Sequence, residues 1–452
     1  MKKRTKRQRA IIRRRIFIIV LTALLAMAVA LLSVIISAVV KHTKNSNNVN
    51  NSSSVQLQNN SSEQQIDPNA VVAKATVVNT GDIILHSTVL DGAKTADGNY
   101  DFSAFFSETE KYFKSADIAT ANLEVTLGGT ESGAFSGYPA FNAPDNLLKV
   151  IKDSGLNLLT TANNHCYDTG LFGLKRTVQQ LKANGIDFIG TKELESDHTY
   201  LVKNINGIKL GMVTYTYENS SASGQKSING NVVKAEANNL INSFSYDRIN
   251  DFYTQAQSTI NDMRQSGAEA IVFYMHWGEE YQLSANTWQK SIAQKLCNMG
   301  VDVIVGSHPH VVQPIELLYS EDSQNTTVCV YSMGNAISNQ RQELMDSCPS
   351  GHTEDGMLFY YTFEKYGDGT IALSEVDIVP TWVNKYKGGS GHQYTMYALE
   401  TYGMANNYGF NATALSKAQK SFERTKSIVA KGLTECQQHL QCEVRFDEQV
   451  SE

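Results

Sequence analysis

The chain has 452 residues, 42% hydrophobic and 19% charged, with 39 Lys and Arg against 45 Asp and Glu, a formal net charge of −6. That apolar content excludes a wholly disordered protein, and the charge excludes a basic nucleic-acid binder. The average hides an asymmetry, because residues 1–15 carry nine basic groups and no acid, leaving 30 basic against 45 acidic residues, a net charge of −15, in the remainder.

Ile16 to Val40 reads IFIIVLTALLAMAVALLSVIISAVV, 25 residues without a charge. As a helix rising ~1.5 Å per residue it spans about 37 Å, enough to cross a ~30 Å hydrocarbon core with tilt. A cleaved signal peptide is the alternative, but its apolar region is usually only ~7 to 15 residues, and no clear A-x-A site follows here. The sequence therefore predicts a single-pass transmembrane anchor over 16–40. The basic cluster holds residues 1–15 in the cytoplasm, which makes the protein a cell-membrane one with its main domain extracellular. Residues 41–70 are mostly Asn, Ser and Gln and read as a flexible tether. Of six cysteines only Cys436 and Cys442 are close enough in sequence to suggest a local bridge.

From Val71 short β-rich runs alternate with helical stretches. The runs KATVVNTGD, DIATANLEV, LNLLTTANNH, KLGMVTYTY, EAIVFYMHWG, VDVIVGSHPH and TTVCVYSMGN are mostly apolar stretches that stop at a polar cluster, the pattern of buried strands whose carboxyl ends open onto a site. Between them Pro144–Ser154, Leu171–Asn184 and Tyr253–Ser266 are amphipathic and each is followed by glycine, as crossover helices of an α/β fold would be. From Met357 to Val383 an alternating pattern around a Tyr-Gly-Asp-Gly turn predicts antiparallel closing strands, so the domain is placed at 71–386. Residues 387–452, after a Gly-rich break, read as a polar helical tail.

Candidate chemistry gathers at the strand ends. His165, His276, His308 and His310 offer imidazoles, Asp82 and Glu124 carboxylates, and Asn163 and Asn164 amides. Together they form an oxygen and imidazole set of the kind that holds divalent Mn, Fe or Zn, as one ion or two. Each residue also has an ordinary reading: Asp82 as a turn or cap residue, His276 as a core histidine packed beside Trp277, Asn163 and Asn164 as turn formers. His308-Pro309-His310 has little packing purpose, and the co-occurrence of ligand types at several strand ends favours a metal or polyanion site.

The ordered motifs GDIIL, NLE, NNHCYDTG, HWGEEY, GSHPHVVQPIE and YSMGN resemble the CapA family of poly-γ-glutamate capsule synthesis proteins, itself similar to the calcineurin-like metallophosphoesterases; the resemblance covers about Val72 to Val383. It implies a metallophosphoesterase-like four-layer α-β-β-α sandwich. It further implies that Asn164, His276 and His308 hold one metal and Asp82 and His310 another. Glu124 bridges them, and His165 stays free to protonate a leaving oxygen. The sequence departs from the phosphoesterase pattern at three points. Asp82-Ile83-Ile84 replaces Asp-x-His, so that only His86 could substitute; Glu124 replaces an aspartate; and Cys166 stands where an acidic residue is usual.

The resemblance implies an anchored outer component of anionic-polymer handling that works beside membrane polymer-synthesis subunits. The alternatives are a secreted metal-dependent phosphoesterase or amide hydrolase, and a catalytically silent binding module. A polyanion avoids a domain of charge −15 unless a metal or a local basic pocket engages it. Lys175 and Arg176 are candidates for that pocket, although they also read as the solvated face of a helix.

Overall fold

The computed structural model describes residues 67–221, 224–388 and 391–446. The basic segment, the anchor expected over 16–40 and the tether up to residue 66 lie outside the described residues. Among the described residues no helix is long and apolar enough to cross a membrane.

The chain first builds four strands, β1 (Val71–Ile83), β2 (Ile118–Leu123), β3 (Leu158–Thr160) and β4 (Asp187–Ile189), paired in parallel in that order. It then crosses to a second sheet through the hairpin of β5 (Tyr200–Ile205) and β6 (Ile208–Tyr217). A small three-stranded excursion follows, made of β7 (Asn219–Ser220), β8 (Lys226–Ile228) and β9 (Asn231–Val232). Next come β10 (Ser243–Phe244), β11 (Ala270–His276), β12 (Val303–Ser307), β13 (Ile315–Tyr319) and β14 (Thr326–Val330), which complete the second sheet in the order β10-β6-β11-β12-β14-β13. The last strands, β15 (Asn335–Ile337), β16 (Asp355–Tyr366), β17 (Ile371–Lys387) and β18 (His392–Ala398), return to the first sheet on the other side of β1.

Alternation along the strands sets the layers, because successive side chains point to opposite faces. Val77, Leu158, Val272 and Val303 meet in a core between the two sheets. Their neighbours Val78 and Leu159 point outward under α1 (Ser87–Ala93) and α3 (Asn146–Asp153), with the short α2 (Glu110–Phe113) in the same cluster. Phe273 and Ile304 point outward under α5 (Ile249–Gln265) and α6 (Thr287–Asn298). The crossover helix after β3, α4 (Gly170–Asn184), ends on Gly185 in the left-handed conformation, where a Cβ would be strained. The result is a mixed α/β fold of two facing sheets with helices outside both.

The segment 387–452 corrects the expectation of a separate tail. Its helix exists as α7 (Ala412–Leu440), but β17 runs through the boundary drawn at 386 and β18 pairs with it. Val429, Leu433 and Cys436 of α7 join the core between the sheets, while Ala418 and Phe422 pack with Trp382. The apolar stripe is thin and small-residued, so the helix reads as polar although one face is buried. Cys436 and Cys442 are both free thiols, Cys436 taken up in that packing.

Gly432 shows how closely α7 docks: a Cβ there would lie 1.7 Å from the Ile315 carbonyl oxygen, a backbone atom that cannot turn aside. Gly432→Ala is therefore expected to push α7 off β13 and lower stability by about 2 kcal/mol, the usual scale of overpacking. Thermal denaturation checks this, and an unchanged midpoint would contradict the docking described.

Candidate metal centre

The parallel strands of both sheets bring their carboxyl ends to one edge, and the polar residues lie there: Asp82 on β1, Glu124 after β2, Asn163 to His165 after β3, His276 on β11, and His308 and His310 after β12. All are buried. Two sets of ligand-capable atoms lie within 4.8 Å of one another: Glu124, His276 and His308, and Asp82, Glu124 and His310. Glu124 belongs to both.

Close backbone approach makes this possible. Asp82 N–H donates to the Gly334 carbonyl at 3.0 Å. A Cβ on Gly81 would meet that same oxygen at 1.9 Å, so the glycines of the GDIIL and YSMGN motifs let the two segments touch. His308 and His310 have φ of 98° and 55°. Non-glycine residues held there cost roughly 1–3 kcal/mol each and persist where the surroundings impose them.

Polar neighbours aim the ligands. Asn122 Nδ2 donates to Asp82 Oδ1 at 2.8 Å and to Glu124 Oε2 at 3.0 Å. Its Oδ1 accepts from Asn163 Nδ2 at 3.1 Å. Asn163 Oδ1 in turn accepts from the His165 backbone N–H at 3.1 Å, which ties Asn163 to the loop that carries His165. His276 Nδ1 pairs with Ser307 Oγ at 3.0 Å, turning Nε2 toward Asn164 Oδ1 at 2.8 Å. His310 Nδ1 lies 3.1 Å from both Asp82 Oδ2 and Asn335 Oδ1.

Two atoms in the cluster are buried without a hydrogen bond, Glu124 Oε1 and His308 Nδ1. Glu124 Oε1 stands 3.6 Å from His276 Nε2 and 3.6 Å from His310 Nε2. Two ligands each ~2.1 Å from one ion, at angles between 90° and tetrahedral, are about 3.0–3.4 Å apart. The spacing and the orphaned atoms fit a divalent ion, whereas a buried polar atom with no partner is otherwise costly.

Electrostatics agree. Burial, then the Asp82 charge, pushes the Glu124 carboxyl well up. Burial, then His308 and His310, pushes His276 down; burial, then His310, does the same to His308. Burial also opposes the charge on His310, but the hydrogen bond and charge of Asp82 outweigh it and its value is raised. With the His276 imidazole held neutral, its 3.6 Å approach to Glu124 is not an ion pair.

His165 sits beside the two ligand sets. Its Nδ1 lies 2.7 Å from Asp168 Oδ2, and its ring meets Phe141 edge-on at 4.6 Å. Asn229, from the turn between β8 and β9, reaches the same Nδ1 at 3.4 Å, so the small sheet leans over this histidine. Cys166 supplies no acid, but Asp168, three residues after His165, does. The Cys166 thiol itself is pushed to about 12 by burial.

The other candidates fall elsewhere. His86 belongs to neither ligand set; its Nδ1 accepts from the Asn339 backbone N–H at 3.2 Å, and burial, then His310 and His165, lowers it to about 4. Arg176 corrects the expected basic pocket: its guanidinium grips Asp145 with two 2.8 Å bonds and the Leu127 carbonyl at 2.6 Å, so on α4 it serves structure. Lys175 beside it is half-buried on the same helix. The residues the motifs did not single out are Asp168, Asn122 and Asn335, together with Tyr217, whose ring lies 5.0 Å from that of His308 at the end of β6.

Fold and site together define a two-sheet α/β protein carrying a ligand set suited to divalent metal. The chain belongs to the family of bacterial capsule synthesis proteins, PGA_cap, whose model matches residues 76–340, more than half of its length. It is 26% identical over 279 residues to the PGA biosynthesis protein CapA of Bacillus subtilis (strain 168), covering 61% of this chain and 65% of that one, just under two thirds of the relative's length. It is 26% identical over 311 residues to the capsule biosynthesis protein CapA of Bacillus anthracis, covering 68% and 67%. The crystal structure of the protein TT1561 of Thermus thermophilus overlaps at a TM-score of 0.30 and 8% identity, covering 64% of this chain and 94% of that one, too distant to carry an argument.

Proposed function

We propose that this chain is a membrane-anchored extracellular component of anionic-polymer assembly or export, engaging a poly-γ-glutamate-like chain through a divalent-metal centre on a metallophosphoesterase-like four-layer scaffold. The observation that carries the metal is Glu124 Oε1, buried, without a hydrogen bond, and equidistant from two imidazole nitrogens. Family membership and the relatives' names support the polymer. The anchor rests on the 25-residue apolar run and the nine cations before it.

In this reading Asp82, Glu124 and His310 hold one ion, and Glu124, His276 and His308 with Asn164 the other. A bound ion supplies an acidified water and charge to steady a leaving oxygen. A carboxylate, imidazole and amide set suits Mn, Fe or Zn.

The pairing of Asp168 with His165 favours a hydrolytic role over holding alone. Asp168 fixes the proton at Nδ1 and leaves Nε2 to exchange a proton with a substrate oxygen, the arrangement of a general acid. Asp168→Asn is expected to lower turnover by about 10²- to 10⁴-fold while metal content stays at the parent value. Loss of metal together with activity would make Asp168 a structural support instead.

The test of the whole reading is elemental analysis of the full chain. It is followed by assays on γ-glutamyl, aryl phosphate and phosphodiester substrates with and without chelator. Bound metal and chelator-sensitive turnover are expected; a metal-free chain overturns the proposal.

A further inference from the structure

The polymer reading leaves a physical difficulty, since the part of the chain after residue 15 carries −15. Arg176, one of the two cations read from sequence, does not relieve it, being bonded to Asp145. A different group of cations lines a cavity of about 500 Å³ between the outer end of β17 and the start of α7: Arg341, Lys385, Lys387 and Lys417, with Glu343 the only carboxylate among the described residues of the lining.

Some of this charge is already matched. Arg341 Nη2 lies 2.6 Å from Glu354, behind the lining, and Lys417 lies 3.3 Å from Glu343 and 3.5 Å from Glu354. Lys385 has no ion-pair partner among the described residues: its Nζ donates to Asn339 Oδ1 at 3.0 Å and lies 5.8 Å from the centre of the Tyr394 ring. Burial, then the charge of Arg341, lowers its pKa. Lys387 is exposed at the rim. Arg341, almost wholly buried in the wall, keeps its Nε without a hydrogen bond. The first turn of α7, a 29-residue helix, opens on the same cavity and adds the positive end of its dipole.

The cavity is joined to the metal centre by a short stretch of chain. Asn335 contacts His310, the Asn339 backbone N–H donates to His86, Gln340 reaches the Tyr281 hydroxyl at 3.3 Å, and Arg341 comes next in the cavity wall. Asn339 faces both ways, since its side chain accepts from Lys385.

Resting on the polymer reading above, we infer that this basic cavity is a docking subsite for a carboxylate-bearing polyamide chain, holding it by charge while a neighbouring stretch lies over the ligand cluster. The carboxylates of such a chain supply the anions that Lys385 and Lys387 lack among the described residues, and its amides suit the aromatic and amide walls of the cavity.

The test measures binding of a fluorescent γ-linked glutamate oligomer to the full chain at several salt concentrations. It compares the parent with Lys385→Gln/Lys387→Gln, and with His308→Ala as a metal-site variant. Metal content and melting temperature are recorded for each. The expected result is an affinity loss of about tenfold or more in the double lysine variant and a shallower salt dependence, with metal content unchanged. Parent-like affinity in the double variant overturns the subsite, and if His308→Ala alone loses binding, the polymer is held by the metal centre only. No binding by a metal-loaded parent overturns the subsite and the polymer reading together, whereas a metal-free parent that binds through the lysines separates the subsite from the metal proposal. A polyphosphate of matched charge that binds more tightly than the glutamate oligomer overturns the assigned ligand class.

Discussion

His308→Ala is expected to lower the divalent-metal affinity of the full chain by about 100-fold or more, while His352→Ala leaves it unchanged. His308 is buried in the set with Glu124 and His276, and its Nδ1 has no other partner among the described residues. Loss of groups that merely orient ligands already costs about 10- to 100-fold, so loss of a ligand should cost at least the upper value. His352 is a fair control: it lies in a short 3₁₀ turn after β15 and bonds Ser350 at 2.6 Å, belonging to neither ligand set. Competition titration with a chromogenic chelator reads both variants, and equal affinities would sink the site assignment. The sign of the pH effect follows from Glu124 and His310, both raised. An ion displaces their protons, so affinity should fall as the solution is acidified and loading should release protons into a weak buffer.

Arg341→Ala is expected to destabilise the fold by about 3–5 kcal/mol, the cost of leaving a buried charge without its partner. Arg341 and Glu354 are each 2% exposed. Arg341 also donates to the Val383 carbonyl at 2.5 Å, and Glu354 accepts from Trp382 Nε1 at 3.1 Å and the Gln342 backbone N–H at 2.9 Å. The alanine variant strands Glu354, whose other cation, Lys417, stands 3.5 Å away. Removing both charges by Arg341→Met with Glu354→Gln should recover most of the loss, since neither desolvated ion remains. Denaturant unfolding of the three variants measures this. A double variant as unstable as the single would locate the cost in packing around Trp382 instead of in the ion pair.

What could be read in the sequence follows from how each residue carries its signal. Asp82, Glu124, His276, His308 and His310 could be picked out as candidates because a parallel strand buried on both faces is an apolar run, and the polar cluster at its end marks the edge where a site can lie. The seven strand-like runs were visible for the same reason, and the three crossover helices through their amphipathic spacing and the glycine that follows each. Asp168 was hidden by spacing: the acidic partner of His165 was sought next to it, and Asp-Thr-Gly three residues later resembles an ordinary turn before a helix. Asn122 and Asn335 stand inside quoted motifs, but an asparagine that aims two carboxylates looks no different from one in a turn until the strands meet. The cationic cavity was not legible at all, since Arg341 and Lys417 are 76 residues apart in sequence, and only α7 folding back against β17 unites them. That docking could have been suspected from Phe422, Val429, Leu433 and Cys436, an apolar stripe at helical spacing.

The left-handed backbone at His308 and His310 sets selection for stability against retention of the ligands. Glycine at 308 would relieve about 1–2 kcal/mol of backbone strain and so strengthen the metal-free protein. A lineage that needed only the scaffold would be expected to drift that way, whereas in the proposed metal reading two histidines held in unfavourable torsions keep the loop preorganised for an ion.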